Sequence, residues 1–314
     1  MLNRRSFVKS ASMLGFGAMA ALNCKAGVDI VKAAQHKHFG LQVFGVCMEL
    51  AKDIPAGLRR LKEIGYDTLE LAGYNRGNIA LFHSPISLVD YNKMAKDAGL
   101  DITSSHVRTP QAAYTRDNKG EVLDFWKTTA EHHAQLGITY LVQAAVPNCK
   151  SVEDVQLVAE VFNEAGQIVK DAGMLFAFHN EVNVAMRVTP GGQESKYSLT
   201  GRYEEGAQQI FDILLNETNP GLVCFELDGL AAILCGNDPV YYLQQYPSRF
   251  RLMHVKDVEA LGASGMINHE NIFRQFYKNG MTDFFVEDEN FRSGHQFERI
   301  EESARYLQEA DFVI

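Results

Sequence analysis

The feature that most constrains this chain is a repeated unit in which a helix end meets a glycine and an apolar strand follows. Leu61 to Ile64 lead through Gly65 into residues 66–71. Ala95 to Ala98 lead through Gly99 into residues 100–106, Ala134 to Leu136 through Gly137 into 138–144, and Val169 to Ala172 through Gly173 into 174–180. These glycines recur every 34 to 38 residues. Each is suited to close a helix in the left-handed backbone that a residue without Cβ adopts freely. Strands alternating with helices at this period imply parallel pairing through right-handed crossovers. Residues 38–44, 222–228, 250–256 and 282–288 fit the same scheme and bring the strands to eight. Helix starts are expected where Asp53 precedes Pro55, where Ser84 precedes Pro85, and at Ser151 with Asp154 three residues on. The expectation is a closed (β/α)8 barrel of the α/β class. An open doubly wound sheet fits less well, because no GxGxxG follows the first strand.

The 314 residues are 46% hydrophobic and 22% charged, enough for one large core and unlike a disordered chain. The formal net charge is -9, and the basic residues Arg4, Arg5 and Lys9 lie in the first 24 positions, so the remaining body is more acidic still. Such a body repels phosphate backbones, which argues against a nucleic-acid partner. The cysteines, Cys24, Cys47, Cys149, Cys224 and Cys235, form no CxxC pair, and the last four read as free buried thiols.

Residues 1–24 have the form of an export signal. Arg4 and Arg5 precede an apolar run from Ala11 to Leu22, too short to anchor comfortably across a bilayer. Arg4 to Lys9 resembles the twin-arginine signal, whose substrates cross the membrane already folded. Residues 21–24 loosely match a lipoprotein cleavage site, which would make Cys24 a lipid attachment point. The sequence thus divides into an export signal (1–24), a linker (25–37) and a catalytic barrel (38–314), with a periplasmic or otherwise exported location and no membrane span.

In such a barrel, chemistry gathers at the carboxyl ends of the strands. There the chain carries Glu70, then Ser104-Ser105-His106, then Gln143. His179-Asn180-Glu181, Glu226-Leu227-Asp228, His254-Val255-Lys256-Asp257 and Glu287-Asp288-Glu289 follow. Period-two alternation puts His179 with Glu181, Glu226 with Asp228, His254 with Lys256, and Glu287 with Glu289. A ring of carboxylates at one mouth needs a cation or protons to be tolerable. Asp228, His254 and Glu287 on three successive strands suit one divalent ion: Mn2+, Co2+, Mg2+, Fe2+ or Zn2+. Asp257 and Glu289 read equally well as helix caps or solvated loop residues. His36, His38, His132, His133, His269 and His295 read as surface or loop residues.

These segments resemble the xylose isomerase-like barrels of the sugar phosphate isomerase/epimerase family, a superfamily shared with endonuclease-four-type enzymes. The resemblance runs over roughly residues 38–312. It is carried by Gly40 to Phe44, Tyr66 to Leu71, Ser105-His106-Val107, Phe178-His179-Asn180, Phe225 to Asp228, Asp238-Pro239-Val240, Arg251 to Asp257 and Phe285-Val286-Glu287. It implies that Asp228, His254 and Glu287 are metal ligands. A fourth ligand is implied on strand five, often Glu in relatives, where this chain offers His179 or Glu181. The aromatic that often follows the strand-six aspartate is replaced here by Gly229-Leu230-Ala231.

The chemistry implied is proton movement beside a carbonyl on a small carbohydrate. Glu181 and Glu287 are the expected base and acid. Lys256 is expected to neutralise oxyanion charge, or else to pair with Asp257 or Glu287, and Glu70, His106 and Gln143 to hold substrate hydroxyls. Isomerase or epimerase chemistry is the first expectation, and lyase or hydratase action on 3-keto-glycosides the second. A non-catalytic sugar-binding barrel is a further alternative. An endonuclease would need more His and Glu ligands and a basic face.

Overall fold

The computed structural model describes residues 37–80, 85–192, 206–289 and 295–314. The expected export signal and most of the linker lie outside them. Eight parallel strands close into a barrel: β1 (Gly40–Gln42), β2 (Thr68–Leu71), β3 (Asp101–Val107), β4 (Tyr140–Gln143), β5 (Leu175–His179), β6 (Val223–Asp228), β7 (Phe250–Val255) and β8 (Asp283–Val286). Each strand pairs with its neighbours in sequence, and β1 closes the ring against β8 through Gly40↔Phe285 and Leu41↔Val286. The helices are α1 (Cys47–Leu50), α2 (Ile54–Ile64), α3 (Leu88–Asp97), α4 (Lys119–Ala134), α5 (Val152–Asp171), α6 (Ile210–Glu217), α7 (Gly229–Leu234), α8 (Pro239–Gln245), α9 (His269–Lys278) and α10 (Gln296–Glu309).

The glycine cadence holds. Gly65, Gly99, Gly137 and Gly173 have φ of 119°, 81°, 74° and 84°, a region costly for residues with a Cβ. Asp53 caps α2 through the Ala56 N–H, and Ser151 with Asp154 forms a full capping box on α5. The Ser84–Pro85 start is corrected. Ile86–Ser87 first pairs with Asn78–Ile79, and Ser87 then caps α3 through the Asp90 N–H. The first strand is shorter than expected because the Gln42 side chain accepts from the Phe44 N–H and turns the chain into a 3-10 helix, Val43–Val46.

Alternation along the strands builds two cores. Outward-facing rings such as Phe176, Phe178 and Phe225 pack against Trp126 of α4, Phe162 of α5 and Phe211 of α6. Burying each such ring contributes about 1.5–3 kcal/mol. A smaller cluster inside the barrel comprises Tyr140, Val142, Ala177, Cys224, Leu252 and Phe285. Gly40 makes this floor possible, since a Cβ there would stand 2.4 Å from the Phe285 ring. Above the floor the inward positions turn polar.

Two histidines expected at the surface are buried. His269 packs against Tyr306 with ring centroids 5.7 Å apart. His133 lies on the barrel face of α4, where its Nδ1 meets the Thr129 carbonyl at 2.8 Å and its Nε2 the Ser105 hydroxyl at 3.1 Å. The neighbouring His132 points the other way, to the Tyr74 hydroxyl at 2.7 Å. Cys47, Cys149 and Cys224 are free and buried, and Cys235 is half-buried.

Candidate metal centre and cavity

Asp228 closes β6 and opens α7. Its Oδ1 accepts from the Ala231 N–H at 2.7 Å, and Asn180 brackets its backbone from β5 through both carbonyl and N–H. The cap uses one oxygen. The other, Oδ2, stands 3.7 Å from His179 Nε2 and 3.5 Å from Lys256 Nζ. His254, at the end of β7, is wholly buried and brings Nδ1 to 2.9 Å from Glu287 Oε2. One ligand atom from each of His179, Asp228, His254 and Glu287 lies within 4.8 Å of the others.

Two orphaned atoms test whether a cation fits here. His179 Nε2 and His254 Nδ1 are buried and make no well-directed hydrogen bond among the described residues, although His254 Nδ1 lies 2.9 Å from Glu287 Oε2 and His179 Nε2 lies 3.7 Å from Asp228 Oδ2. Their opposite nitrogens are anchored, His179 Nδ1 on the Ala144 carbonyl at 3.2 Å and His254 Nε2 on Glu70 at 2.6 Å. An imidazole held on one side and facing two carboxylates on the other is the donor arrangement of a first-row divalent ion. The residues therefore fit the expected group.

Beneath this quartet lies a second polar layer. Glu70 Oε1 accepts from Ser104 at 2.6 Å, and its Oε2 accepts from Gln42 at 2.8 Å as well as from His254. Glu226 Oε2 stands 2.8 Å from His106 Nε2. The rings of His106, His179 and His254 pack together, with centroids 4.5 to 5.1 Å apart.

Burial by itself would raise these carboxyl pKa values, but their cationic neighbours prevail. His254 and His106 hold Glu226 low, Lys256 and His179 hold Asp228 low, and His254 and Lys256 hold Glu287 well below the usual carboxylate range. Burial works against protonation of His254, yet Glu226, Glu287 and Glu70 together lift its pKa well above that of an ordinary imidazole. The cluster is thus a compact store of negative charge balanced by imidazoles and one ammonium.

A cavity of about 300 Å3 opens over the quartet. His106, His179, Glu181, Glu287 and Glu289 line it, with Phe44, Ala72, Tyr74 and Ala144 on its carbon-rich wall and Arg108 at its rim. Arg108 is paired with Glu181 at 2.6 Å. Lys256 touches Glu289 at 2.9 Å and Glu287 at 3.1 Å.

The structure brings His179, Asp228, His254, Glu287 and Lys256 together. Glu181 does not join them. β5 ends at His179, so the alternation that pairs the two residues stops there, and Glu181 turns to Arg108 in the loop. His106 faces the cavity as expected. Glu70 is fully buried below the quartet, and Gln143 bonds the Ala145 carbonyl, so neither lines the cavity. Asp257 leaves Lys256 to others and caps its own loop through Val258, Gly262 and Ser264. The sequence gives no sign of a role for Arg108 or Gln42, and although alternation sets Glu226 beside Asp228 and Ser104 falls at a strand end, neither was assigned a role from sequence.

Comparison with known proteins agrees with this architecture. The xylose isomerase-like TIM barrel family matches residues 58–310. A crystal structure of a sugar phosphate isomerase/epimerase from Parabacteroides distasonis is 38% identical, with a TM-score of 0.83 over 92% of this chain and 100% of that one. A structure of the IOLI protein with a bound zinc atom shares the fold at 13% identity, with a TM-score of 0.60 over 88% of this chain and 98% of the other. Inosose dehydratase 1 of Bacillus cereus is 22% identical over 128 residues, which are 41% of this chain and 37% of that protein. The match thus spans little more than a third of that relative's length. With eight βα units, the closed parallel ring and a family match over most of its length, this chain belongs to the xylose isomerase-like TIM barrel family.

Proposed function

We propose that this protein is a divalent-metal-dependent enzyme that moves a proton beside the carbonyl of an unphosphorylated keto sugar, as an isomerase or epimerase. The single observation that carries the reading is the pair of orphaned imidazole nitrogens, His179 Nε2 and His254 Nδ1, facing Asp228 and Glu287 under an open cavity. His179, Asp228, His254 and Glu287 would hold the ion. Bound there, it supplies Lewis acidity to a sugar carbonyl.

The chain's own groups supply the rest. Glu287 lines the cavity and accepts the carbon-bound proton. The Lys256 ammonium, 3.1 Å from Glu287, faces the oxyanion that develops when that proton leaves. His106 presents its ring to substrate hydroxyls, with Glu226 holding its Nε2. Glu181 and Arg108 at the rim bind the outer part of the sugar as a matched pair. The twin-arginine-like segment at residues 4–9 favours an unphosphorylated sugar, because sugar phosphates are kept inside the cell.

Dehydration or hydration of a keto sugar is the second reading. It is favoured by the inosose dehydratase relatives and by the placement of Glu181 outside the quartet. One carboxylate beside the reacting carbon suffices for elimination, whereas epimerisation also needs a donor on the opposite face.

The test is to load the protein with Mn2+, Co2+ or Zn2+ and present keto sugars and 3-keto-glycosides in deuterated water. Proton NMR then follows both product and solvent exchange. Metal-dependent turnover of a keto sugar supports the reading, and turnover of a substrate lacking an acidic C–H defeats it. Metal analysis should find about one ion per chain in wild type and none in Asp228→Ala. Equal metal content in both would remove the site assignment.

A further inference from the structure

We propose that Glu70 is a positioning residue that selects which nitrogen of His254 meets the metal; this rests on the metal reading above. His254 has two carboxylate layers to choose between. Its Nε2 lies 2.6 Å from Glu70 Oε2 and 3.3 Å from Glu226 Oε1, while its Nδ1 faces Glu287 in the quartet. His106 Nε2 lies nearer Glu226, at 2.8 Å against 3.2 Å from Glu70 Oε2, while His254 Nε2 lies nearer Glu70, which makes Glu70 the acceptor that fixes the Nε2 proton.

Glu70 is itself locked. The Gln42 amide cannot be turned over, because its Oε1 accepts the Phe44 N–H at 3.0 Å and its Nε2 must then donate to Glu70. Ser104 donates to the other oxygen at 2.6 Å. Three donors from β1, β3 and β7 converge on one side chain of β2 that has no exposed surface. With Gln42 and Ser104 already donating to its two oxygens, Glu70 stays in place and faces His254 as an acceptor. With Nδ1 deprotonated to meet a metal, the remaining proton of His254 stays on Nε2, and the Nδ1 pair faces the quartet of Asp228, Glu287 and His179. Glu70 reaches neither the cavity nor the quartet, so its influence on the ion passes wholly through the imidazole.

Substitution separates its two contributions. In Glu70→Gln the amide NH2 can face the Ser104 hydroxyl, which also accepts, while the remaining oxygen keeps the Gln42 and His254 bonds. The tautomer survives and the negative charge is lost. Glu70→Leu removes both. Competition of Zn2+ against a chromophoric chelator is expected to show about tenfold weaker binding for Glu70→Gln and about 100-fold weaker for Glu70→Leu. Long-range 1H–15N NMR of the zinc-loaded wild type, with the His254 signals assigned by their absence in His254→Gln, is expected to show the ring proton on Nε2. A His254 proton on Nδ1, or zinc affinity of a folded Glu70→Leu within about twofold of wild type, overturns the assignment of Glu70. Zinc retained by Asp228→Ala would instead bring down the metal reading, so the two failures are told apart.

Discussion

Acid should weaken this fold through His133, and the size of the effect follows from its surroundings. The side chain is fully buried on α4 against β3. The neutral ring is served on both sides, donating from Nδ1 to the Thr129 carbonyl and accepting at Nε2 from Ser105. The Tyr74 ring stands 4.6 Å away. Burial, opposed by the Thr129 carbonyl and reinforced by the neighbouring His132, pushes the pKa down from 6.5 to about 4. The unfolded chain takes up the proton at the higher pKa. Between those two values it holds more protons than the folded chain, so stability falls as pH falls. The full contribution is present above pH 6.5. About 1.4 kcal/mol is lost by pH ~5.5 and about 3 kcal/mol by pH ~4. Urea melts of wild type and His133→Gln at these pH values measure it, because the carboxylates common to both cancel in the difference. The stability advantage of wild type over the variant should shrink by about 3 kcal/mol from neutral pH to pH ~4. A difference that stays flat with pH would refute the argument.

Lys256→Met should keep its zinc and lower kcat about 100-fold, because the ammonium beside Glu287 acts on developing charge rather than on the ion. An unchanged kcat would remove it from the mechanism. Arg108→Ala should raise KM about tenfold with kcat little altered, since the rim pair binds substrate equally before and during reaction. Ser151→Ala should cost about 1 kcal/mol in chemical denaturation by opening the α5 capping box. Trp126→Ala should cost about 3–5 kcal/mol, because the ring is wholly buried against Phe176.

The barrel was legible because glycine-terminated helices recur at a constant interval, and only parallel strands linked by crossovers satisfy that rhythm. Asp228, His254 and Glu287 were legible for a related reason: each sits where a regular strand ends, so alternation still governs its direction. Legibility failed where regular backbone failed. Glu181 lies two residues past His179, but the strand has already ended, and a face counted from alternation no longer exists. Glu70 and Gln143 sit on true strands, yet their depth depends on how the closed ring layers its side chains, and linear sequence does not encode that layering. His132 and His133 look alike in sequence. A turn of about 100° between consecutive helix positions leaves His132 half-buried on the Tyr74 hydroxyl and sends His133 into the core, where its nitrogens meet the Thr129 carbonyl and the Ser105 hydroxyl. Asp228 caps α7 with one oxygen and keeps the other turned to His179 and Lys256, so capping leaves it a second oxygen for the proposed site.

The lower ring formed by Gln42, Glu70 and Ser104 gives the barrel a hidden tuning register. These side chains belong to β1, β2 and β3, and none of them lines the cavity. Exchanges there would alter how firmly the His254 donor is presented, and hence which ion is preferred, while the surface seen by the substrate stayed the same. If the quartet holds a metal as proposed, this lower ring gives a lineage or an engineer a way to adjust the His254 donor without altering the cavity lining.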